Sequence, residues 1–484
     1  MTSTDLLDPL GVNGAADEIT GDEAWLRALV AAEVALSRAL VAADLAPEWM
    51  LGVAAALNDT SWLDLPALAA AGRSGGNPVI PLVKLLQARA EGLHAGAGEY
   101  VHVGATSQDI IDTAAMLVSA RTLEAVREHL VGLGGGLAAL ADTHRRTPQA
   151  GRTLGQHASP TSFGFVVAGW LDAVSTLIER VADARSGLPA SLAGAVGTLS
   201  VLSQVAAERL PGHPSVDTVV STYARELGLA APRISWHSDR LPIVEVGSVL
   251  AAATGVAGSI GAAVAELSRT EIGELGEGLA EGQGGSSAMP HKRNPVGSVL
   301  IVAAARQTPG LLSTLYGSLL VEDQRAIGGW HAEWQTLREL QRHALSSVAA
   351  ADALIDGLHV DARRMRANLD LTHGLLYSER VSALLAERIG RARAFELVRQ
   401  ASAAVSASAP LSAVLDQQLA AEGFAPDDSV RVAVRSAFDA DSFVDQTSPA
   451  IDRVLARFTE VTATSPVTAT SPVTATSPAK ETQS

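Results

Sequence analysis

Three stretches of this 484-residue chain bring together side chains that can do chemistry. The first, GQGGSSAMPHKRNP at residues 282 to 295, sets Ser286 and Ser287 behind glycines 282, 284 and 285, with Lys292 and Asn294 following. Glycines let a backbone close over a ligand, and a serine on such a loop can reach a reacting carbon. A lysine with an asparagine can hold a carboxylate. The same composition also suits a turn ahead of a helix start at Pro295, with the basic side chains merely solvated. The second stretch, VHVGATSQDIIDTA at residues 101 to 114, offers His102, Thr106 and Ser107. The third, GRTLGQHASPTSFG at residues 151 to 164, offers Thr153, Gln156 and His157. Polar side chains and exposed backbone concentrate at such junctions, where ligands are met.

Helices must position these junctions. Apolar residues recur at helical spacing, and long helices are expected over about 109–143, 163–184, 242–274, 296–319 and 330–358, with almost no strand signal. Hydrophobic residues make up 47% of the chain but aromatic ones only 4%, so the core must be Ala, Val and Leu in closely packed helices. The expected fold is all-α, an elongated central helical bundle with smaller N- and C-terminal helical domains. Its expected divisions are 1–110, a central 111–360 carrying the loop 276–295, 361–458, and a disordered tail at 459–484. The tail repeats TATSPV and TATSPA, a composition of Thr, Ser and Pro that cannot bury a core.

Composition also excludes function classes. A net charge of -16 with scattered basic residues argues against a nucleic-acid binder. The chain has no cysteine, which removes disulfides, thiolate nucleophiles and Cys-ligated metals. The uncharged segment 246–265 has a membrane-spanning length, yet its Ala, Gly and Ser content fits a helix buried at the centre of a soluble assembly. The N-terminus MTSTDLLDPLG lacks a basic region followed by an apolar run, so a cytoplasmic protein without membrane attachment is expected. Neither metal-ligand spacing nor a nucleotide fingerprint is visible, and no cofactor is expected.

Taken together, GSSAMPHKRNP, VHVGATSQDIIDTA and GRTLGQHASPTSFG, with WHAEW at 330–334, resemble the signature segments of the fumarase/aspartase superfamily. They are most similar to its 3-carboxy-cis,cis-muconate cycloisomerase branch, and the resemblance runs from about residue 20 to 458. It implies a homotetramer whose active sites are each assembled from three subunits, acting on a small dicarboxylate or tricarboxylate. It implies Ser286 as general base, and Lys292 and Asn294 as ligands of a substrate carboxylate. Thr106, Ser107, Thr153, Gln156 and Ser287 are implied as polar contacts, Arg325 in VEDQRA as a substrate-binding arginine, and His102 as a histidine beside the site.

The chemistry follows from the residues. Removing a proton next to a carboxylate builds a doubly negative aci-carboxylate, which preorganised donors such as Lys292 and Asn294 must stabilise. A serine near a lysine under a closed lid becomes a competent base. Superfamily members that expel an amine or hydroxide carry a His directly after the Thr of the third stretch, where this chain has Leu154. A site lacking that acid suits a group that departs as an anion, although His157 stands three residues on. Asp323 and the segment FDADSFVD also depart from the cycloisomerase pattern. The expectation is β-elimination from a substituted succinate to fumarate, with nitrosuccinate as the named candidate and the cycloisomerase reaction as the alternative. An adenylosuccinate lyase stands further back. A non-catalytic, crystallin-like role is the contrasting class, and intact Ser286, Lys292 and Asn294 argue against it. His237 and His331 are expected to be structural, and Glu271, Glu274 and Glu277 to form a solvated face at a helix end.

Overall fold

A computed structural model describes residues 7, 9–10, 14–209, 216–278, 289 and 292–463. Ser286 and Ser287 lie outside the described residues, as do the glycines before them. Five long helices, Ser107–Thr143, Phe163–Ser186, Leu241–Leu267, Val296–Gly317 and Gly329–Asp356, pack side by side into the expected bundle. Small residues set how closely they approach. A Cβ built on Gly258 would lie 2.3 Å from the Ala305 Cβ, so the helices Leu241–Leu267 and Val296–Gly317 meet nearly backbone to backbone there. Leu241–Leu267 is long and apolar enough to cross a membrane by length and composition, and half of its most apolar window is buried inside the chain.

The core explains the layout. N-terminal helices, chiefly Asp22–Ala42, share one continuous apolar core with the bundle. A second core, from Leu369 to Ala440, gathers the short C-terminal helices. The last helix, Ser448–Ala463, returns to the bundle: Ile451 and Val461 are buried in the first core, and Phe458 fills the space above Gly134. Residues 459–463, expected to open the disordered tail, are therefore helical, and the rest of that expected tail, 464–484, lies outside the described residues.

Two further expectations need correction. The helix expected to reach residue 274 ends at Leu267, where the chain turns and Glu274 N–H donates back to the Leu267 carbonyl. The junction at 151–161 is not an irregular loop but an antiparallel hairpin, Pro148–Thr153 with Gln156–Ser162. Polar residues and glycine hide its two-residue alternation. A register shift sits at Gly151, where an added Cβ would lie 2.5 Å from the Ser159 carbonyl oxygen, so only glycine fits the bulge. Leu154 and Gly155, with φ of +51° and +77°, make the tight turn; positive φ at both central positions is the arrangement of a type I′ hairpin.

Candidate active site

The segment from Val101 to Ser107 leads into the helix Ser107–Thr143 and is tied down through Asp109. Thr106 is the N-cap of that helix in a capping box, and its N–H donates to Asp109 Oδ2 at 2.9 Å. Asp109 is fully buried and also accepts from the N–H groups of Ala193 and Gly194, from Ser191 Oγ, and from His237 Nε2 at 2.7 Å. Five donors on one carboxylate fix the backbone carrying Thr106 and Ser107. His237 therefore has the structural role expected of it, and His331 packs against the rings of Trp330 and Trp334.

Arg325 reaches this segment from the loop before Gly329–Asp356. Its Nε donates to Gln108 Oε1 at 2.8 Å, and its Nη2 donates to Thr106 Oγ1 and to the Ala195 carbonyl. Nη1 makes no bond among the described residues, which leaves one edge of the guanidinium for a carboxylate. Behind it lies a buried ionic network. Arg240 donates to both oxygens of Asp112 and of Glu333, and Trp330 Nε1 donates to Asp112 at 2.9 Å. His102 sits at the same end of the bundle, with Nδ1 bonded to Glu33 Oε1 at 2.6 Å. The sequence reading missed Glu33, Gln108, Asp109, Asp112, Arg240 and Glu333. A Thr-x-x-Asp capping pattern was the one visible signal, at Thr106 and Asp109.

The hairpin stands at the other end. Arg152 pairs with Glu274 through two hydrogen bonds, and Glu274 also accepts from Gln149 Nε2 and Asn368 Nδ2, both at 2.7 Å. Glu274 is fully buried, so the expected solvated face fails there: the backbone turn after Leu267 carries its carboxylate inward, against Arg152. Glu277 is likewise engaged, accepting from the N–H groups of Gly297 and Ser298 at the start of Val296–Gly317. Thr153, Leu154 and Gln156 are exposed at the hairpin tip. His157 is partly buried; burial first, and repulsion from Arg152 second, hold its pKa below the ordinary value despite Glu274. It is thus neutral near pH 7. Lys292 is exposed and Asn294 half-exposed just before Val296.

Helix lengths separate the two groups. Ser107–Thr143 has 37 residues, so at about 1.5 Å per residue it places the Thr106 end roughly 55 Å from its C-terminus. The hairpin begins five residues beyond that C-terminus, and its contacts run to Glu274 and Asn368. Val296–Gly317 starts beside Glu277 and finishes where Ser318 Oγ donates to the Gly329 carbonyl, next to the Arg325 loop. His102, Thr106, Ser107 and Arg325 therefore share one end of the bundle, while Thr153, Gln156, His157, Lys292 and Asn294 share the other. One chain does not bring them together.

A family model described as a lyase matches residues 16–310. The chain belongs to the fumarase/aspartase superfamily. It is 46% identical to a nitrosuccinate lyase of Streptomyces davaonensis, over 82% of this chain and 83% of that protein. It is 42% identical to a 3-carboxy-cis,cis-muconate cycloisomerase of Pseudomonas aeruginosa, over 83% and 85%. The crystal structure of the 3-carboxy-cis,cis-muconate lactonizing enzyme from Pseudomonas putida superposes with a TM-score of 0.82 at 35% identity, covering 93% of this chain and 98% of that one. The helical bundle is the frame that this chain shares with its solved relatives in the superfamily.

Proposed function

We propose that the chain is a lyase that removes the elements of nitrous acid from nitrosuccinate, giving fumarate and nitrite. Leu154 carries this reading. It occupies the hairpin tip, fully exposed in the single chain, where superfamily members that expel amines or hydroxide place an acid. An aliphatic side chain there favours a leaving group that is stable as an anion. The 46% identity to a nitrosuccinate lyase supports the same choice.

In this reading Ser286 takes the proton from the carbon beside a carboxylate, and Lys292 and Asn294 stabilise the aci-carboxylate that results. The electron pair then forms the double bond of fumarate while the neighbouring C–N bond breaks and nitrite leaves. Arg325, Thr106 and Ser107 hold the other carboxylate, with Thr153, Gln156 and Ser287 as further polar contacts. His157, neutral near pH 7, stands at the hairpin as the remaining acid–base candidate. The two ends of the bundle are joined by oligomerisation: an antiparallel neighbour lays its hairpin and loop beside the Arg325 end of this chain. A homotetramer built on the exposed small-residue face of Leu241–Leu267 does this, and a cytoplasmic location belongs to the same reading.

Incubating the protein with nitrosuccinate, following fumarate by absorbance and nitrite by colorimetry, tests the reaction. Equal amounts of both are expected. The second reading, lactone opening as in the cycloisomerases, is favoured by the superposition with the Pseudomonas putida enzyme; turnover of a carboxymuconolactone without nitrite release would select it.

A further inference from the structure

Glu33 lies in the middle of Asp22–Ala42, a helix lined with Leu, Val and Ala, and is only 2% exposed. A lone carboxylate is strongly disfavoured in such a place. Its Oε1 meets His102 Nδ1 at 2.6 Å, and its Oε2 is buried without a partner among the described residues. His102 has φ of +66°, an uncommon conformation outside glycine, so its backbone is held where the pair can form. The ring keeps a fifth of its surface exposed. With Nδ1 taken by Glu33, Nε2 is the free edge, and it has no partner among the described residues.

We infer that Glu33 is a positioning residue that holds His102 as an imidazolium, with Nε2–H presented to the substituent that leaves the substrate. His102 then supplies a cationic hydrogen bond to negative charge growing on that group, and no proton has to be transferred. This rests on the reading of the Val101–Ser107 segment as the substrate-facing end. It answers the question raised by Leu154, because a donor from the opposite end of the bundle takes over the stabilisation an acid on the hairpin would give.

The surroundings agree. Burial alone would favour the neutral ring, but the hydrogen bond and charge of Glu33, with Asp109 from the helix Ser107–Thr143 behind it, lift the His102 pKa above its ordinary value. Tyr223, facing the same carboxylates from the helix Asp217–Glu226, stays neutral, since burial raises its pKa well above the usual one. Arg325 is tied to the segment through Thr106. The ring therefore holds its proton to higher pH than an ordinary imidazole and loses it as the pH rises through that raised value.

Glu33→Gln tests the assignment through the pH profile of kcat/KM on nitrosuccinate. The alkaline limb should move toward acid, and kcat/KM at pH 8 should fall by about ten- to a hundredfold, mostly in kcat. A limb that stays in place overturns the inference, because a merely structural role lowers activity without moving it. Titration of the His102 ring by NMR, assigned with His102→Gln, reads the pair without any turnover. If nitrosuccinate is not turned over at all, the substrate reading has failed, and the titration still decides the pair: a downward shift in Glu33→Gln supports it, and an unchanged one overturns it. Should Glu33→Gln fail to fold, a wild-type His102 pKa at or below about 6.5 overturns it alone.

Discussion

Arg325 Nε donates to Gln108 Oε1 at 2.8 Å, and that carbonyl is locked toward it because the Gln108 amide nitrogen already donates to Asp112 Oδ2 at 3.2 Å and to the His237 carbonyl at 3.0 Å. With both donors committed, only the oxygen is left to face the arginine. Hydrogen bonds to a charged group contribute about 1.5–3 kcal/mol, so Gln108→Leu should raise KM by roughly tenfold or more with a smaller change in kcat. Arg325 keeps Thr106 and Ala195 but loses its angular restraint. An unchanged KM would show that the guanidinium is aimed by those two partners alone.

The hairpin depends on Glu274 in the same indirect way. Removing one member of a buried ion pair costs about 3–5 kcal/mol, since the partner is left uncompensated. Glu274→Ala strands Arg152, which is itself mostly buried, and also frees Gln149 and Asn368. Denaturant unfolding should show a loss of that size, with activity reduced although Glu274 touches no substrate. Wild-type stability in this variant would mean that Arg152 finds water or another acceptor at little cost.

Separation of the two residue groups along the bundle leads to a mixing experiment. Arg325→Ala and Lys292→Met should each be nearly inactive as pure proteins. After denaturation and co-refolding, some sites receive Arg325 from one subunit and Lys292 from another, and random assembly restores roughly a quarter of wild-type activity. Recovery below a few per cent of wild type, with mixed oligomers demonstrated by mass, would mean that each site is completed within one chain.

How much of this was legible in the sequence depended on the kind of residue. The bundle was legible because Ala, Leu and Val repeat at helical spacing over long stretches, and every one of the five helices except Leu241–Leu267 falls close to its expected bounds. The hairpin was not, because its strands are short and partly exposed, and they carry Gly, Thr, Ser and Pro, which mask a two-residue period. Residues expected to meet a ligand stand in recognisable segments. Those that aim them do not: Glu33, Asp112, Arg240 and Glu333 come from distant parts of the chain, and only packing brings them together. Glu274 shows the same limit, since three glutamates at helical spacing read as a solvated edge until the turn after Leu267 points one inward.

Leu154 yields the sharpest test, because its backbone and its chemistry make separate demands. A type I′ turn favours Asn before Gly, and an aliphatic residue at φ of +51° is strained, so Leu154→Asn should stabilise the hairpin by up to about 1 kcal/mol. In the proposed oligomer this exposed, strained leucine supplies an apolar surface beside the leaving group. Departure of an amine or hydroxide requires a proton in the transition state, and leucine has none to give. The wild-type protein should therefore release nitrite from nitrosuccinate while turning over malate, argininosuccinate and adenylosuccinate at least about a hundredfold more slowly. Leu154→Asn should be more stable yet slower on nitrosuccinate, as water enters beside the leaving group. Brisk cleavage of adenylosuccinate by the wild type would instead require a proton donor at the site, with His157, three residues along the same hairpin, protonated once the substrate is bound.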